Sequence, residues 1–369
     1  MSEAFSAVPV TIDAQGLLRC LLRKGEPDRV YFMELFLDEE VKAALCRRYP
    51  ILDGLDQSDP YFDLQAEIRL QRFLGYDYVR CGAEMVWPEY AIGREAGTVE
   101  DTAEPGLRRA GGRSYAEEHT GCLTNWDEFE RMEWPDPERA TTWEIDWYER
   151  HLPDDMCILG TGGAHFYEIL SWLMGYETLC YALHDNRPLV AAISEKLFAM
   201  AEAQAKRELA FSRVRGIWGS DDMGFRTGPL IGPDNLRDFV LPGHRLVAEL
   251  AHQAGKLYLL HSCGDLSLIM KDLVEEVRID ARHSFEDAIE PVVEAKRRDG
   301  DRVSLIGGID MDFLCRAGES QVRRRVRETL DVCQPGGGYC LGTGNSVSNY
   351  VPFDNYLAML DEGRRYGQG

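Results

Sequence analysis

The sequence predicts an α/β fold, a closed (β/α)8 TIM barrel with an N-terminal elaboration and an insertion. Three observations carry that expectation. A short apolar or β-branched run recurs eight times, each followed by a loop of Gly, Asp or His and, in most cases, a helical stretch. The length of 369 residues suits a barrel, which takes roughly 250 residues or more with insertions. No G-x-G-x-x-G follows the first run, which counts against the alternative of an open, doubly wound dinucleotide-binding sheet.

In chain order, the first run is Arg29 to Glu34, followed by a helix over 39–48. A helix over 60–74 leads to the second run, Asp77 to Gly82. Between about 84 and 150 the rhythm breaks. Trp87, Trp126, Trp134, Trp143 and Trp147 lie there among Gly, Pro and charged residues, as an insertion or lid with a hairpin near Arg109–Ser114. Met156 to Gly162 is the third run. A helix follows from Glu168 to Leu183, and a longer one from Pro188 to Phe211 buries Val190, Ile193, Leu197 and Met200 at helical spacing. The fourth run is Gly216 to Asp222. Helices over 233 onward and 242–254 follow, the first opening on Gly232-Pro233. The remaining runs are Lys256 to His261, Ile279 to Phe285, Val303 to Gly308 and Gly338 to Gly342, with a closing helix from Asp354 to Arg365. Ser284 to Asp287 reads as a helix start with acids in its first turn. The whole chain, 1–369, is expected to form one barrel domain.

Composition narrows the partners. Forty-one basic residues against 63 acidic ones leave a net charge of −22, which argues against nucleic acid. It would also repel an anionic substrate unless a local Arg or Lys offsets it. No apolar run reaches the length of a membrane span, and Met1 to Phe5 has neither a basic start nor a signal core, so a cytoplasmic protein is expected. Ten cysteines without a tight framework point to packing rather than disulfides.

In a barrel the strand ends converge on one face, and chemistry gathers there. His261 and Cys263 are two residues apart at the end of the fifth run, so alternation points them the same way. Cys340, in the glycine-flanked eighth run, is placed to face them across the mouth. Two thiolates and one imidazole would hold zinc with one open position, the pattern of a catalytic rather than a structural site. Glu168 is the candidate fourth metal ligand, ahead of Asp221 and Asp222. Glu168, Asp221, Asp222 and His283 are also the candidate catalytic residues. Gly342, Gly344 and Asn345 would let a cofactor or an anion approach the backbone.

Asp28-Arg29-Val30, Asp221-Asp222-Met223-Gly224 with Gly228-Pro229-Leu230-Ile231, His261-Ser262-Cys263-Gly264 and Leu341-Gly342-Thr343-Gly344-Asn345 together resemble the uroporphyrinogen decarboxylase superfamily, over about residues 26–366. That resemblance implies a (β/α)8 barrel. The superfamily's decarboxylases carry an Arg-rich segment after the first strand, where this chain reads Phe32-Met33-Glu34-Leu35-Phe36-Leu37-Asp38 without arginine. Its other branch comprises zinc methyltransferases of corrinoid pathways, whose His-x-Cys and distant Cys resemble His261, Cys263 and Cys340. The resemblance implies zinc, a cobalamin held on a partner corrinoid protein, and methyl transfer. The expected substrate is an aryl methyl ether, walled by Trp87, Trp126, Trp134, Phe166 and Tyr167, and the alternative is a thiol such as coenzyme M. A decarboxylase and a non-catalytic, zinc-stapled barrel are the rivals. No nucleic acid or membrane partner is expected, and a homodimer is left open.

Overall fold

A computed structural model of the chain describes residues 9–366. The reading of Met1 to Phe5 lies outside those residues. Eight parallel strands form the central sheet: β1 Tyr31–Phe32, β2 Tyr78–Arg80, β3 Cys157–Gly160, β4 Val214–Ser220, β5 Leu257–His261, β6 Ala281–His283, β7 Ser304–Ile306 and β8 Tyr339–Leu341. Their order is β1-β8-β7-β6-β5-β4-β3-β2, the order of a ring cut once, between β1 and β2. Across that seam the Tyr78 hydroxyl accepts from the Glu34 N–H at 2.9 Å and donates to the Glu34 carbonyl at 2.6 Å. All eight predicted runs are strands, because short apolar segments buried on both faces are what a parallel barrel requires.

The interior fills in layers drawn from alternate strands. Tyr78 of β2, Trp218 of β4 and His283 of β6 meet there, with ring centroids 6.0 and 5.9 Å apart. Val79 points the other way, into a cluster with Ile68, Ile145 and Ile158. Helices Glu39–Arg48, Phe62–Leu74, Arg187–Leu209, Pro233–Phe239, Leu241–Gln253 and Phe353–Tyr366 match expectation to within a few residues. Helix Ala14–Leu21, capped by Asp13, supplies the N-terminal elaboration; its Cys20 thiol donates to the Tyr339 carbonyl at 3.3 Å.

Three local expectations are corrected. The helix expected over Glu168 to Leu183 is two helices, Phe166–Met174 and Tyr176–Asp185. They part at Gly175, whose φ of +76° suits glycine, and a Cβ there would meet the His119 carbonyl at 2.6 Å. Ser284 to Asp287 does not start a helix; the next one begins at Val292. The hairpin is wider than expected, pairing Glu95–Val99 with Arg113–Ala116.

The 84–150 segment is tied to loops that follow β1 and β8. Arg109 clamps Glu40 at 2.8 and 3.0 Å, and Asn349 donates to Asp101 at 2.6 Å and to the Leu107 carbonyl at 2.8 Å. Among the described residues no helix is long and apolar enough to cross a membrane.

Candidate metal centre at the barrel mouth

Strand β5 ends at His261, and the chain leaves the sheet with Cys263 two residues on. Their side chains meet as alternation requires, with Cys263 Sγ 3.5 Å from His261 Nε2. Asp222, just past the end of β4, joins them. Its Oδ1 is 3.2 Å from His261 Nε2 and accepts the Cys263 N–H at 2.8 Å. One ligand atom from each of Asp222, His261 and Cys263 lies within 4.8 Å of the others.

Neighbours orient this group. His261 Nδ1 is 2.7 Å from His283 Nδ1. Burial, and then the charge of His261, push the His283 pKa well down, so His283 is a neutral ring that accepts the His261 Nδ1–H. With Nδ1 committed to His283, Nε2 is the His261 atom that faces Asp222 and Cys263, and loss of its proton would free a lone pair there for a cation. The Cys263 sulfur accepts the Asn345 amide at 3.1 Å, and the Ser284 hydroxyl lies 3.9 Å away. Burial raises the Asp222 pKa, but the hydrogen bond and charge of His261 and the Cys263 N–H outweigh it and bring the carboxyl to about 2. Burial and the Asp222 charge push the Cys263 thiol up. A cation is what would turn that thiol into a thiolate here.

Cys340 does not join the cluster. It is fully buried in β8, where its free thiol stands beside the free thiol of Cys20 on the N-terminal helix. The charges that reach it, Asp77 and Arg29, stand just before β2 and β1, at the closed end of the barrel. Asp222 takes the place expected of Cys340. One thiolate, one carboxylate and one neutral imidazole carry the same charge of about −2 as two thiolates and an imidazole, enough to offset a divalent ion.

Asp221 is likewise not a free catalytic acid or base. Fully buried, it accepts the N–H groups of Phe166, Tyr167 and Glu168 at 3.0, 2.9 and 2.9 Å and contacts His244 Nε2 at 2.8 Å. It fixes the start of helix Phe166–Met174. Glu168 is therefore held beside the centre but outside it, 3.4 Å from His165 Nδ1. Burial raises its pKa, His165 opposes, and the charges of Asp221 and Asp222 add to the rise.

Gly342 and Gly344 are where strand ends crowd: a Cβ would meet the Met33 carbonyl at 2.1 Å and the Phe285 carbonyl at 2.2 Å. Thr343 between them binds Glu34 through its N–H and its hydroxyl, both at 2.7 Å. Sequence reading missed the bond from Asn345 to Cys263, the Ser284 contact and the role of His244. Only the nearness of Asn345 to the glycine-rich loop gave a signal.

A (β/α)8 barrel with a thiol, an imidazole and a carboxylate converging at its mouth is the class that fold and site define. Residues 64–366 match the family model described as uroporphyrinogen decarboxylase (URO-D), and the chain belongs to that family. It is similar to a methylated-thiol–coenzyme M methyltransferase of Methanosarcina mazei, 29% identical over 172 residues, 45% of this chain and 44% of that protein. It is also similar to a uroporphyrinogen decarboxylase of Cupriavidus necator, 36% identical over 80 residues, 21% of this chain and 22% of that one. The chain thus aligns with less than half the length of either. A solved methyltransferase from Methanosarcina mazei shares the fold, with a TM-score of 0.65, 16% identity and coverage of 97% of this chain and 99% of that one.

Proposed function

We propose that the chain is a zinc-dependent methyltransferase that exchanges a methyl group between a small thiol and a cobalamin carried by a partner corrinoid protein. The observation that carries this reading is the convergence of Asp222, His261 and Cys263 within 4.8 Å. The mixed N, S and O donor set suits zinc, and three protein ligands leave one place for a guest. Bound there, zinc would supply a Lewis acid that stabilises negative charge on the heteroatom bearing or receiving the methyl group.

The protein's own residues do the rest. His283 fixes the tautomer and tilt of His261. Asn345 donates to the Cys263 sulfur, which suits a thiolate. Glu168, anchored by the Asp221-capped helix and within reach of the Asp222 charge, is the group to take or give a proton at the incoming heteroatom, and its raised pKa favours that work. Gly342 and Gly344 let the loop after β8 pack against the Met33 and Phe285 backbone, which sets Asn345 beside Cys263. In this reading residues 1–369 form one barrel domain and 84–150 shield one side of the mouth.

The thiol stands ahead of the aryl ether for two reasons. The similar curated methyltransferase is named for thiols. Four of the five aromatics expected as a wall are engaged elsewhere: Trp87 and Trp134 pack on each other at 6.4 Å, while Phe166 and Tyr167 are buried in the core.

The test is metal analysis joined to a cobalamin spectrum. The purified chain should hold about one zinc, and 3-mercaptopropionate should consume methylcobalamin only when zinc is present. Methylation of cob(I)alamin by a methoxyphenol, with no reaction of any thiol, would move the assignment to the ether. Release of carbon dioxide from a tetrapyrrole by metal-free protein would replace it with decarboxylation.

A further inference from the structure

Inside the barrel, one guanidinium makes no ion pair among the described residues. Arg80 is the last residue of β2. It lies two residues beyond Tyr78 on the same face, and so one layer nearer the mouth. Its guanidinium sits 5.9 Å over the Trp218 ring, and one Nη donates to the Trp218 carbonyl at 3.1 Å. Its Nε is buried without an acceptor, and so is Nε1 of Trp218, which is fully buried. Among the described residues no carboxylate pairs with Arg80. The one carboxyl whose charge reaches it, Glu208, is bound by the N–H groups of Ala83 and Gly162, both at 2.8 Å. By contrast, Arg282 pairs with Glu290 at 2.6 Å and Arg29 with Asp77 at 2.5 Å.

An unpaired buried cation costs stability, and buried donors without acceptors call for an explanation. Both needs are met by an acceptor-rich anion entering from the mouth. Arg80 and the candidate metal centre are linked by packed rings: Trp218 is 5.9 Å from His283, and His283 is 4.8 Å from His261, centroid to centroid. We propose that Arg80, backed by Trp218, is an anion subsite. It would bind the carboxylate or sulfonate of a short substrate and turn the other end of that molecule toward Asp222, His261 and Cys263. This rests on the methyl-transfer reading for what happens at that other end, but not for the binding itself. It also supplies the local cation that a chain of net charge −22 needs to admit an acid.

Calorimetric titration of the full chain with methanesulfonate, and separately with acetate, tests it. Wild type should bind one anion saturably and should ignore methanesulfonamide, the neutral isostere. Arg80→Gln should weaken anion binding by about tenfold or more, and Arg80→Lys by less, because Lys keeps the charge but not the fork. Zinc content should not change in either variant. The melting temperature of Arg80→Gln should equal or exceed that of wild type, since a costly charge is gone; a structural role would lower it. Should Arg80→Gln fail to fold, Arg80→Lys carries the comparison. Equal affinity of wild type and variants for the anions, or no saturable binding by wild type, overturns the proposal. Anion binding by a wild type that transfers no methyl group leaves Arg80 as proposed and removes the function instead.

Discussion

Cys263 and Cys340 are chemically identical side chains with opposite fates. Cys263 meets an imidazole, a carboxylate and an amide donor; Cys340 meets Cys20 in a dry core. The metal-binding difference between them should be large. Cys263→Ala or Asp222→Ala should bring bound zinc close to zero under dialysis. Cys340→Ala should keep about one zinc per chain and lose only about 1–2 kcal/mol of stability, the scale of a small core cavity. Atomic emission on the three dialysed variants decides it, and zinc lost from Cys340→Ala would return that residue to the centre. His283 has a milder effect in the same assay. His283→Phe removes the acceptor that orients His261, and zinc affinity should fall by about 10–100-fold, without the complete loss seen on removing a ligand.

Helix Phe166–Met174 owes its direction to one carboxylate, because Asp221 collects three N–H groups from its first turn. Asp221→Ala would strand those donors and His244 in a dry interior and should cost about 3 kcal/mol or more. Urea unfolding measures the loss; a change below about 1 kcal/mol would mean that the helix start has other support. This contact illustrates what a sequence hides. The strands were legible because each is a short apolar run, and His261 with Cys263 was legible because a spacing of two fixes a shared face. Cys340 was misplaced for a different reason: it too lies in a barrel strand, but its height along the barrel axis is set by the stagger between strands. No spacing within one segment reports that stagger. The paired acids Asp221 and Asp222 look alike in sequence, yet alternation sends one to a helix start and the other to the candidate metal centre. Gly175 was visible, but the insertion loop through His119 and Gly121 that crosses the helix junction there was not. Arg80 gave no signal at all, since a lone arginine at a strand end is ordinary until it proves to have no ion-pair partner among the described residues.

The barrel as a whole is closed at its seam by groups that also make it sensitive to pH. Glu34 follows β1, is almost fully buried, and holds the loop after β8 through Thr343. Burial raises its pKa to about 8 against the hydrogen bonds of Thr343. Glu208, on the long helix Arg187–Leu209 and buried against the segments that follow β2 and β3, is raised by burial to about 7. Below about pH 4.5, the ordinary range of a glutamate, folded and unfolded chains both hold these protons, and the two groups make no difference to stability. As pH rises from there to about 7 for Glu208 and about 8 for Glu34, the unfolded chain releases its protons while the folded chain keeps them. Stability must therefore fall across that window, by on the order of a few kcal/mol per carboxyl, and the slope from these groups ends once the folded carboxyls ionise as well. Glu34→Gln mimics the protonated form. Its Oε1 can accept the Thr343 N–H, and its amide can donate to the Thr343 hydroxyl, which already donates to the Asn345 carbonyl. The variant should match wild type near pH 5 and unfold at a higher temperature than wild type at pH 8.5, with a flatter profile between. Thermal unfolding of both proteins across that range is the measurement, and parallel profiles would show that Glu34 is ionised in the folded barrel throughout.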